Sequence, residues 1–213
     1  MQPQVILITG ASSGFGKITA QMLSERGHIV YGTSRKPSED MNHVKMLVVD
    51  VTNFLSVCQA VERILSEEGR IDVLINNAGI GIGGALELAT EEEVNIQMNT
   101  NFFGVVNMCK AVFASYAKGT KRKDYQYQLY RWCNGNPLSG IFILLRNLLW
   151  RDIAKHWLLE VHPFHIKGLC SRTGRLLTPD FTDNRNISEQ TRLDADYGES
   201  FSEIIGHYRK GRT

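Results

Sequence analysis

Glycine recurs at three spaced positions near the amino terminus, in the segment T-G-A-S-S-G-F-G-K that spans residues 9–17. Gly10 can take backbone angles that are closed to other residues, and Gly14 lets the main chain approach a pyrophosphate. Gly16 lets a following helix pack closely on the preceding strand, and the amides at the helix start then face the phosphates. The spacing therefore predicts a dinucleotide-phosphate site. The residues predicted to line this site are Gly10, Ser12, Gly14, Phe15 and Gly16.

Two cations mark a second candidate position. The run H-I-V-Y-G at residues 28–32 reads as a strand, and T-S-R-K follows it at residues 33–36. The end of the second strand of a dinucleotide-binding fold meets the adenosine ribose, where an acidic residue bonds the 2′-hydroxyl of NAD(H). Arg35 and Lys36 suit a 2′-phosphate instead. We therefore favour NADP(H) over NAD(H) as the cofactor; the alternative is that both cations are solvated loop charges.

The glycine segment lies between a strand and a helix, which raises it above a bare glycine match. The apolar, β-branched run Q-V-I-L-I-T at residues 4–9 predicts a strand buried on both faces. Helical periodicity follows in Ile18, Met22 and Leu23 and closes at Gly27. The alternative reading of the glycine segment is a structural turn rich in small residues.

Strands and helices continue to alternate beyond this first unit. Residues 44–51 predict a third strand with Asp50 near its carboxyl end, and residues 71–75 predict a fourth strand that ends in N-N-A-G at residues 76–79. The helix between them, residues 56–68, carries apolar side chains at Val57, Val61, Ile64 and Leu65. The alternation predicts an α/β fold, a Rossmann-type doubly wound parallel sheet that binds ligands at the carboxyl ends of its strands.

These motifs, together with D-V at residues 50–51 and N-F-F-G at residues 101–104, resemble the short-chain dehydrogenase/reductase family over roughly the first 115 residues. The resemblance implies hydride transfer between NAD(P)(H) and a small-molecule alcohol or carbonyl substrate. The resemblance implies that Asp50 and Val51 contact the adenine of the cofactor. It also implies the following cofactor-side residues: Asn77, Ala78 and Gly79.

Asn101 matches the family asparagine that helps to order a proton-relay water. The alternative for Asn101 is a helix residue that bonds a backbone carbonyl. The resemblance also implies a homo-oligomer, since members of this family are usually oligomeric.

The second half of the chain lacks the residues that the resemblance leads us to expect. The family reaction needs a tyrosine as general acid/base, with a lysine four residues later on the same helical face that lowers the tyrosine pKa. No Y-x-x-x-K occurs in the sequence, and the expected serine strand is replaced by K-D-Y-Q-Y-Q-L-Y-R-W-C-N-G-N-P-L-S-G at residues 123–140. We expect residues 1–213 to form one domain. Its nucleotide-binding half, residues 1–117, should be intact, whereas its catalytic half, residues 118–213, is altered and should be disrupted or incomplete.

The family pattern returns at residues 159–167 and 181–188. Segments that do not match the family, lying between segments that do, indicate a shifted reading frame. With suitable codons, residues 122–141 read one base later can spell G-K-I-I-N-I-S-S-I-G-G-V-M-G-I-P-F-Q-G-F. Residues 142–157 read two bases later can spell Y-S-A-S-K-F-A-M-E-G-Y-S-E-A-L-A, and residues 168–176 read one base later can spell V-C-A-V-E-P-G-D-F. These contain the missing serine, the Y-x-x-x-K helix and a P-G turn. We interpret the chain as the product of small insertions or deletions in a gene or in its sequencing.

Composition excludes several other classes of function. The chain has 213 residues, 43% hydrophobic and 22% charged residues and a net charge of +2, which is ordinary for a globular protein and gives no general attraction to nucleic acid or anionic lipid. Four separated cysteines predict reduced thiols in the cytoplasm, and the start of the chain predicts no signal peptide. The most apolar segment, residues 140–150, is too short to span a bilayer and carries Arg146, so we expect no membrane anchor. No spacing predicts a metal site. The basic, aromatic segment at residues 118–131 is of a kind that binds single-stranded nucleic acid, but such a stretch is usually only solvated, and the shifted reading frame explains its composition better.

Two functions remain open. One is an NADP(H)-dependent oxidoreductase, and the other is a non-catalytic remnant that binds a nucleotide or misfolds. We expect negligible dehydrogenase turnover from this exact chain, because general acid/base catalysis contributes roughly 10²–10⁴-fold.

Overall fold

The computed structural model describes residues 2–36, 41, 43–117 and 186–193. The strands are β1 (Val5–Ile8), β2 (Ile29–Ser34), β3 (Val44–Val48), β4 (Val73–Ile75), β5 (Ile82–Gly83) and β6 (Asn186–Ile187). The helices are α1 (Gly14–Glu25), α2 (Phe54–Glu68), α3 (Glu91–Met98), α4 (Gly104–Ala117) and the short α5 (Glu189–Leu193). A 3₁₀ turn spans Leu86–Leu88, and a π-helical turn, Asn99–Phe103, joins α3 to α4.

Four parallel strands form the main sheet in the order β3-β2-β1-β4. The chain builds β1, β2 and β3 outward in one direction and then returns to place β4 on the other side of β1. The strand order therefore reverses between β1 and β4, and ligands of open α/β sheets bind at such a reversal, outside the carboxyl ends of the strands. The predicted Rossmann-type α/β fold is confirmed for this part of the chain.

Side chains that alternate along β1 supply cores on both faces of the sheet. Val5 and Leu7 pack in a cluster with α2 and α4, whereas Ile6 and Ile8 pack in a second cluster that includes Ala20 of α1. All four β1 residues are buried. The continuous apolar run in the sequence reflects this coverage on both faces.

Helix α2 follows its sequence pattern closely. Asn53 caps it by accepting hydrogen bonds from the amides of Leu55 and Ser56, and Gly69 ends it at φ 73°. Its buried residues are Val57, Ala60, Val61 and Ile64. The predicted apolar stripe is therefore correct except at Leu65, which is only partly buried.

Helix α1 corrects the sequence analysis. Ile18 and Met22, two of the apolar residues that predicted the helix, are 52% and 48% exposed. The buried residues are Gly16, Ala20 and Ser24. Small residues face the sheet because the start of α1 lies directly against the glycine turn. The helix is therefore correctly predicted, although Ile18 and Met22 of the predicted periodicity do not lie on its buried face.

Several predicted bounds also shift by a few residues. β2 starts at Ile29 and continues to Ser34, while β3 ends at Val48 and β4 begins at Val73. The predicted altered segments at residues 118–185, and residues 194–213, lie outside the described residues. Among the helices that the structure does describe, none is long and apolar enough to cross a bilayer.

Candidate functional site

The predicted phosphate loop connects β1 to α1 at the reversal point of the sheet. Gly10 and Gly14 have φ angles of 67° and 55°, in the left-handed region that favours glycine. A side chain at Gly10 would place Cβ 2.9 Å from the Cα of Ala78. A side chain at Gly16 would collide with the Gly10 carbonyl oxygen and the amide nitrogen of Asn77. The glycine spacing thus allows the loop, the helix and the turn after β4 to lie in direct contact.

Asn77 joins the turn after β4 to the phosphate loop. Its Nδ2 donates to the carbonyl oxygens of Thr9 and Gly10, both at 2.9 Å. In return, the buried Thr9 Oγ1 accepts hydrogen bonds from the amides of Asn77 and Ala78 at 3.0 and 2.9 Å. Because residues 67–69 positions apart along the chain exchange four hydrogen bonds, the two turns form one rigid floor.

The start of α1 differs from the starts of α2 and α3. Ser13, at the N-cap of α1, makes no side-chain capping bond, and no acidic residue lies in the first turn. Asn53 caps α2, and Thr90 caps α3 in a capping box with Glu93. The first turn of α1 begins at the left-handed Gly14, and it has neither a side-chain cap nor an acidic residue, so this geometry suits an anionic phosphate group. Ser12 is exposed in the loop and Phe15 is partly buried in the first turn of α1.

The predicted ribose-binding cations follow the end of β2. Thr33 links this strand to the phosphate loop: its carbonyl accepts from the Ala11 amide at 2.9 Å, and its Oγ1 accepts from the Gly10 amide at 3.4 Å. Arg35 and Lys36 are exposed and form no ion pair with any residue that the structure describes. Their charges therefore stand at the carboxyl edge of the sheet, beside the phosphate loop.

The turn after β3 holds the predicted adenine-binding pair. Asp50 Oδ1 accepts from the Thr52 amide at 2.9 Å and from the Thr52 hydroxyl at 2.8 Å. The Asp50 amide donates to Ser56 Oγ at 3.2 Å, which ties the turn to α2. Val51 is 6% exposed, and its carbonyl accepts from Asn107 Nδ2 of α4 at 3.0 Å.

Asn101 lies in the π-helical turn and faces the loop that follows β4. Its Oδ1 accepts from the Ile80 amide at 3.0 Å, and its Nδ2 donates to the Ile80 carbonyl at 2.8 Å. A side chain at Gly79 would meet Asn101 Oδ1 at 3.0 Å. The structure therefore shows Asn101 bonded to a backbone carbonyl, which is the alternative that the sequence analysis left open for this residue. The proton-relay role of Asn101 stays a prediction.

A family model for short chain dehydrogenases matches residues 4–122. The chain belongs to the short-chain dehydrogenase family. The match ends at Arg122, the residue from which the sequence indicates a shifted reading frame.

Individual proteins and solved structures are similar to most of the length of this chain. A protein of Bacteroides thetaiotaomicron named 3-ketodihydrosphingosine reductase is 62% identical over 201 residues, which cover 94% of this chain and 74% of that protein. The crystal structure of a short-chain dehydrogenase from Streptomyces avermitilis has a TM-score of 0.77 at 24% identity and covers 97% of this chain and 78% of that one. The 3-ketoacyl-(acyl-carrier-protein) reductase of Brucella melitensis, solved with NADH, has a TM-score of 0.72 at 24% identity, over 88% of this chain and 81% of that one.

Two residues that the sequence analysis missed adjoin the small β5–β6 sheet. Gln97 of α3 is fully buried, and its Oε1 accepts from the Ile82 amide at 3.2 Å. The Ser188 amide donates to the Gly83 carbonyl at 2.9 Å. The pairing of β5 with β6 brings part of residues 181–188, where the family pattern returns, beside the turn that carries Ile80. No local spacing signals these contacts, because their partners are far apart in sequence.

A tyrosine and a lysine do meet in the described part of the chain, but away from the site. Lys45 Nζ donates to the Tyr31 hydroxyl at 2.9 Å, and that hydroxyl shares its hydrogen between the carboxylates of Glu67 and Glu68. Burial is the main factor that raises the pKa of Tyr31, against the opposing effect of Lys45. A family acid/base tyrosine needs a lowered pKa, so this pair is a structural anchor between the sheet and α2.

The same anchor lowers the pKa of two carboxyl groups. A hydrogen bond from Arg63, followed by those from Tyr31 and Lys45, lowers the pKa of Glu67 to about 2. The pKa of Glu68 is lowered first by the Tyr31 hydroxyl and then by Lys45.

The two described cysteines, Cys58 and Cys109, are free thiols. Burial raises the pKa of the Cys109 thiol, which makes it a poor nucleophile.

Proposed function

We propose that residues 1–117 are the NADP(H)-binding half of a short-chain ketone reductase, within a single Rossmann-type domain. The observation that carries this proposal is the floor formed by Asn77, Thr9 and the glycine turn, where a side chain at Gly10 or Gly16 would collide with its neighbours. This close packing of the loop on the turn after β4 fixes the backbone at the start of α1, where a pyrophosphate would meet the free amides of the helix.

Each end of the dinucleotide has a proposed set of contacts. The phosphates are held by the loop residues Gly10, Ser12, Gly14, Phe15 and Gly16. Asp50 and Val51 bind the adenine, and Asn77, Ala78 and Gly79 line the nicotinamide side of the crevice. When bound, the cofactor supplies a hydride to a carbonyl carbon. The protein residues orient the cofactor and keep the turn after β4 fixed beside it.

NADP(H) is the proposed cofactor in preference to NAD(H). This proposal is supported by Arg35 and Lys36, which are exposed at the end of β2 with no ion-pair partner among the described residues. A guanidinium can bind a 2′-phosphate with two parallel hydrogen bonds, whereas the 2′-hydroxyl of NADH offers it no charge.

The proposed substrate of the uninterrupted gene product is a 3-keto long-chain amino alcohol. This proposal is supported by the 62% identity to the Bacteroides thetaiotaomicron protein named 3-ketodihydrosphingosine reductase. The reaction would reduce the ketone to a secondary alcohol, with Asn101 in the proposed proton relay. We also propose that the protein is cytoplasmic, where the free thiols of Cys58 and Cys109 would stay reduced. A homo-oligomer is proposed from the resemblance to the family alone.

The exact chain, in contrast, is proposed to bind the cofactor without catalysis. Its sequence contains no Y-x-x-x-K, so it offers no tyrosine of lowered pKa to protonate the alkoxide. The shifted-frame interpretation is supported by the end of the family match at Arg122.

A binding and turnover experiment tests both parts of the proposal. The full chain, of verified intact mass, is titrated with NADPH and with NADH by fluorescence, and then assayed with NADPH and 3-ketodihydrosphingosine. We expect tighter binding of NADPH and no turnover. The second protein is encoded by the same gene with the frame restored over residues 122–176, and we expect it to reduce the ketone. Equal affinity for the two cofactors refutes the NADP(H) preference, and turnover by the exact chain refutes the non-catalytic assignment.

A further inference from the structure

One face of the helix that follows Asn101 holds the turn after β3. Gly104 and Asn107 are one turn apart on α4 and both contact Val51. Asn107 Nδ2 donates to the Val51 carbonyl at 3.0 Å, across 56 positions of sequence. A Cβ at Gly104 would lie 2.7 Å from Val51 Cγ2 and 3.1 Å from its Cβ. The absence of a side chain at Gly104 is therefore what allows Val51 to sit against the helix.

The Asp50–Val51 turn presents a specific pattern of hydrogen-bonding groups. Thr52 occupies Asp50 Oδ1 with two hydrogen bonds, and among the described residues Asp50 Oδ2 has no partner. The Val51 amide likewise donates to no acceptor within the described part of the chain. The turn thus offers one acceptor and one donor on adjacent residues.

That pattern matches one edge of adenine, whose 6-amino group donates and whose N1 accepts. Hypoxanthine reverses both groups, because its O6 accepts and its N1–H donates. The match depends on the distance and angle between the Asp50 carboxylate and the Val51 amide, so whatever fixes Val51 also fixes the recognition of the base.

We propose that Asn107 and Gly104 are positioning residues for adenine: they hold Val51 against α4 and thereby set the donor–acceptor pair that reads the base. This inference rests on the proposed NADP(H) binding and adds to it the means by which the adenine end is selected. Two turns are then held from neighbouring elements, since the π-helical turn before α4 holds Ile80 through Asn101 and α4 itself holds Val51.

The test compares the affinities of the full chain for NADPH and for its hypoxanthine analogue. We expect the unaltered chain to prefer NADPH by roughly 10-fold or more. The analogue would place its O6 acceptor against the Asp50 carboxylate and its N1–H donor against the Val51 amide, so that neither pair could form a hydrogen bond. Asn107→Leu removes the donor to the Val51 carbonyl and should reduce NADPH affinity roughly 10-fold, with a change of about 2-fold or less for the analogue. Asn95→Leu is the matched control, because Asn95 is exposed on α3.

Gly104→Ala is an independent variant that moves Val51 without removing a hydrogen bond. Alanine favours the helix, so this variant keeps the test decisive if Asn107→Leu does not fold. Thermal unfolding without ligand reports stability separately from base selection. A loss of the NADPH preference in either folded variant, with the preference kept in the control, supports the inference.

Three results would overturn it, and they can be told apart. If the unaltered chain binds neither nucleotide, the proposed function fails and the inference fails with it. If the unaltered chain prefers NADPH but the variants keep the full preference, only the inference fails. Equal weakening of both nucleotides together with lower stability would assign Asn107 and Gly104 a packing role alone.

Discussion

Substitution of Asn77 by leucine removes the link between the phosphate loop and the turn after β4. Leucine is similar in size but cannot donate, so the Thr9 and Gly10 carbonyls lose hydrogen bonds of 2.9 Å each. Leaving a buried polar group without a partner costs about 1–3 kcal/mol. Because Asn77 is only partly buried, we expect each loss near the lower end of that range, which gives a decrease of about 2–4 kcal/mol in the free energy of unfolding.

Urea unfolding followed by circular dichroism measures this decrease, and NADPH titration measures its effect on binding. We expect the affinity for NADPH to fall at least 10-fold, since the loop that holds the phosphates loses its floor. Asn99→Leu serves as the control because Asn99 is exposed in the π-helical turn. A loss of stability below about 0.5 kcal/mol, or the same loss in the control, would refute the reasoning that these two bonds fix the turn.

Three further predictions follow from the same geometry. Arg35→Gln should weaken NADPH binding by roughly 10–100-fold, while NADH binding changes by about 2-fold or less. Arg26→Gln, at the far end of α1, is the control. Equal losses of affinity for both cofactors would contradict a contact between Arg35 and the 2′-phosphate. Glu67 has a folded pKa of about 2 against an ordinary 4.5, so its stabilisation is present above pH 4.5 and is lost as the pH falls toward 2. The thermal midpoint of the Glu67→Gln variant should therefore fall less steeply over that pH range than the midpoint of the unaltered chain. Equal slopes for the two proteins would contradict a stabilising role of ionised Glu67. Gly16→Ala should abolish measurable NADPH binding because its methyl group enters the loop floor, whereas Gly81→Ala, at a position open to solvent, should bind normally; equal affinities would disprove the close approach.

The regular elements of the fold were predictable wherever hydrophobic burial controls the pattern. β1 is buried on both faces and reads as a continuous apolar run, and the buried stripe of α2 appears directly in the sequence. α1 is different because its buried face consists of Gly16, Ala20 and Ser24. Such small residues carry little hydrophobic signal, and the larger Ile18 and Met22, whose periodicity predicted the helix, are exposed.

The candidate site was predictable where backbone geometry restricts residue type. Gly10 and Gly14 need left-handed angles, and their spacing in the sequence reports this need. The residues that hold the loops were not predictable in the same way. Thr9, Gln97 and Asn107 act through hydrogen bonds to backbone groups 15 to 69 positions away, and a common polar residue in a strand or helix gives no sign of its distant partner.

The order of these contacts along the chain explains how nucleotide binding and catalysis can be separated. The bonds that shape the phosphate and adenine sites join residues 9–10 to 77–78, residue 51 to 107 and residue 80 to 101, all before residue 118. A change of reading frame from Arg122 onward would therefore leave every one of these partners in place, while it would remove the serine, tyrosine and lysine on which the family reaction depends. Nucleotide binding by the exact chain then requires that the first 117 residues keep their fold beside whatever follows them. For this reason, the affinity of the full chain for NADPH is the measurement that separates a cofactor-binding half from a chain that fails to fold.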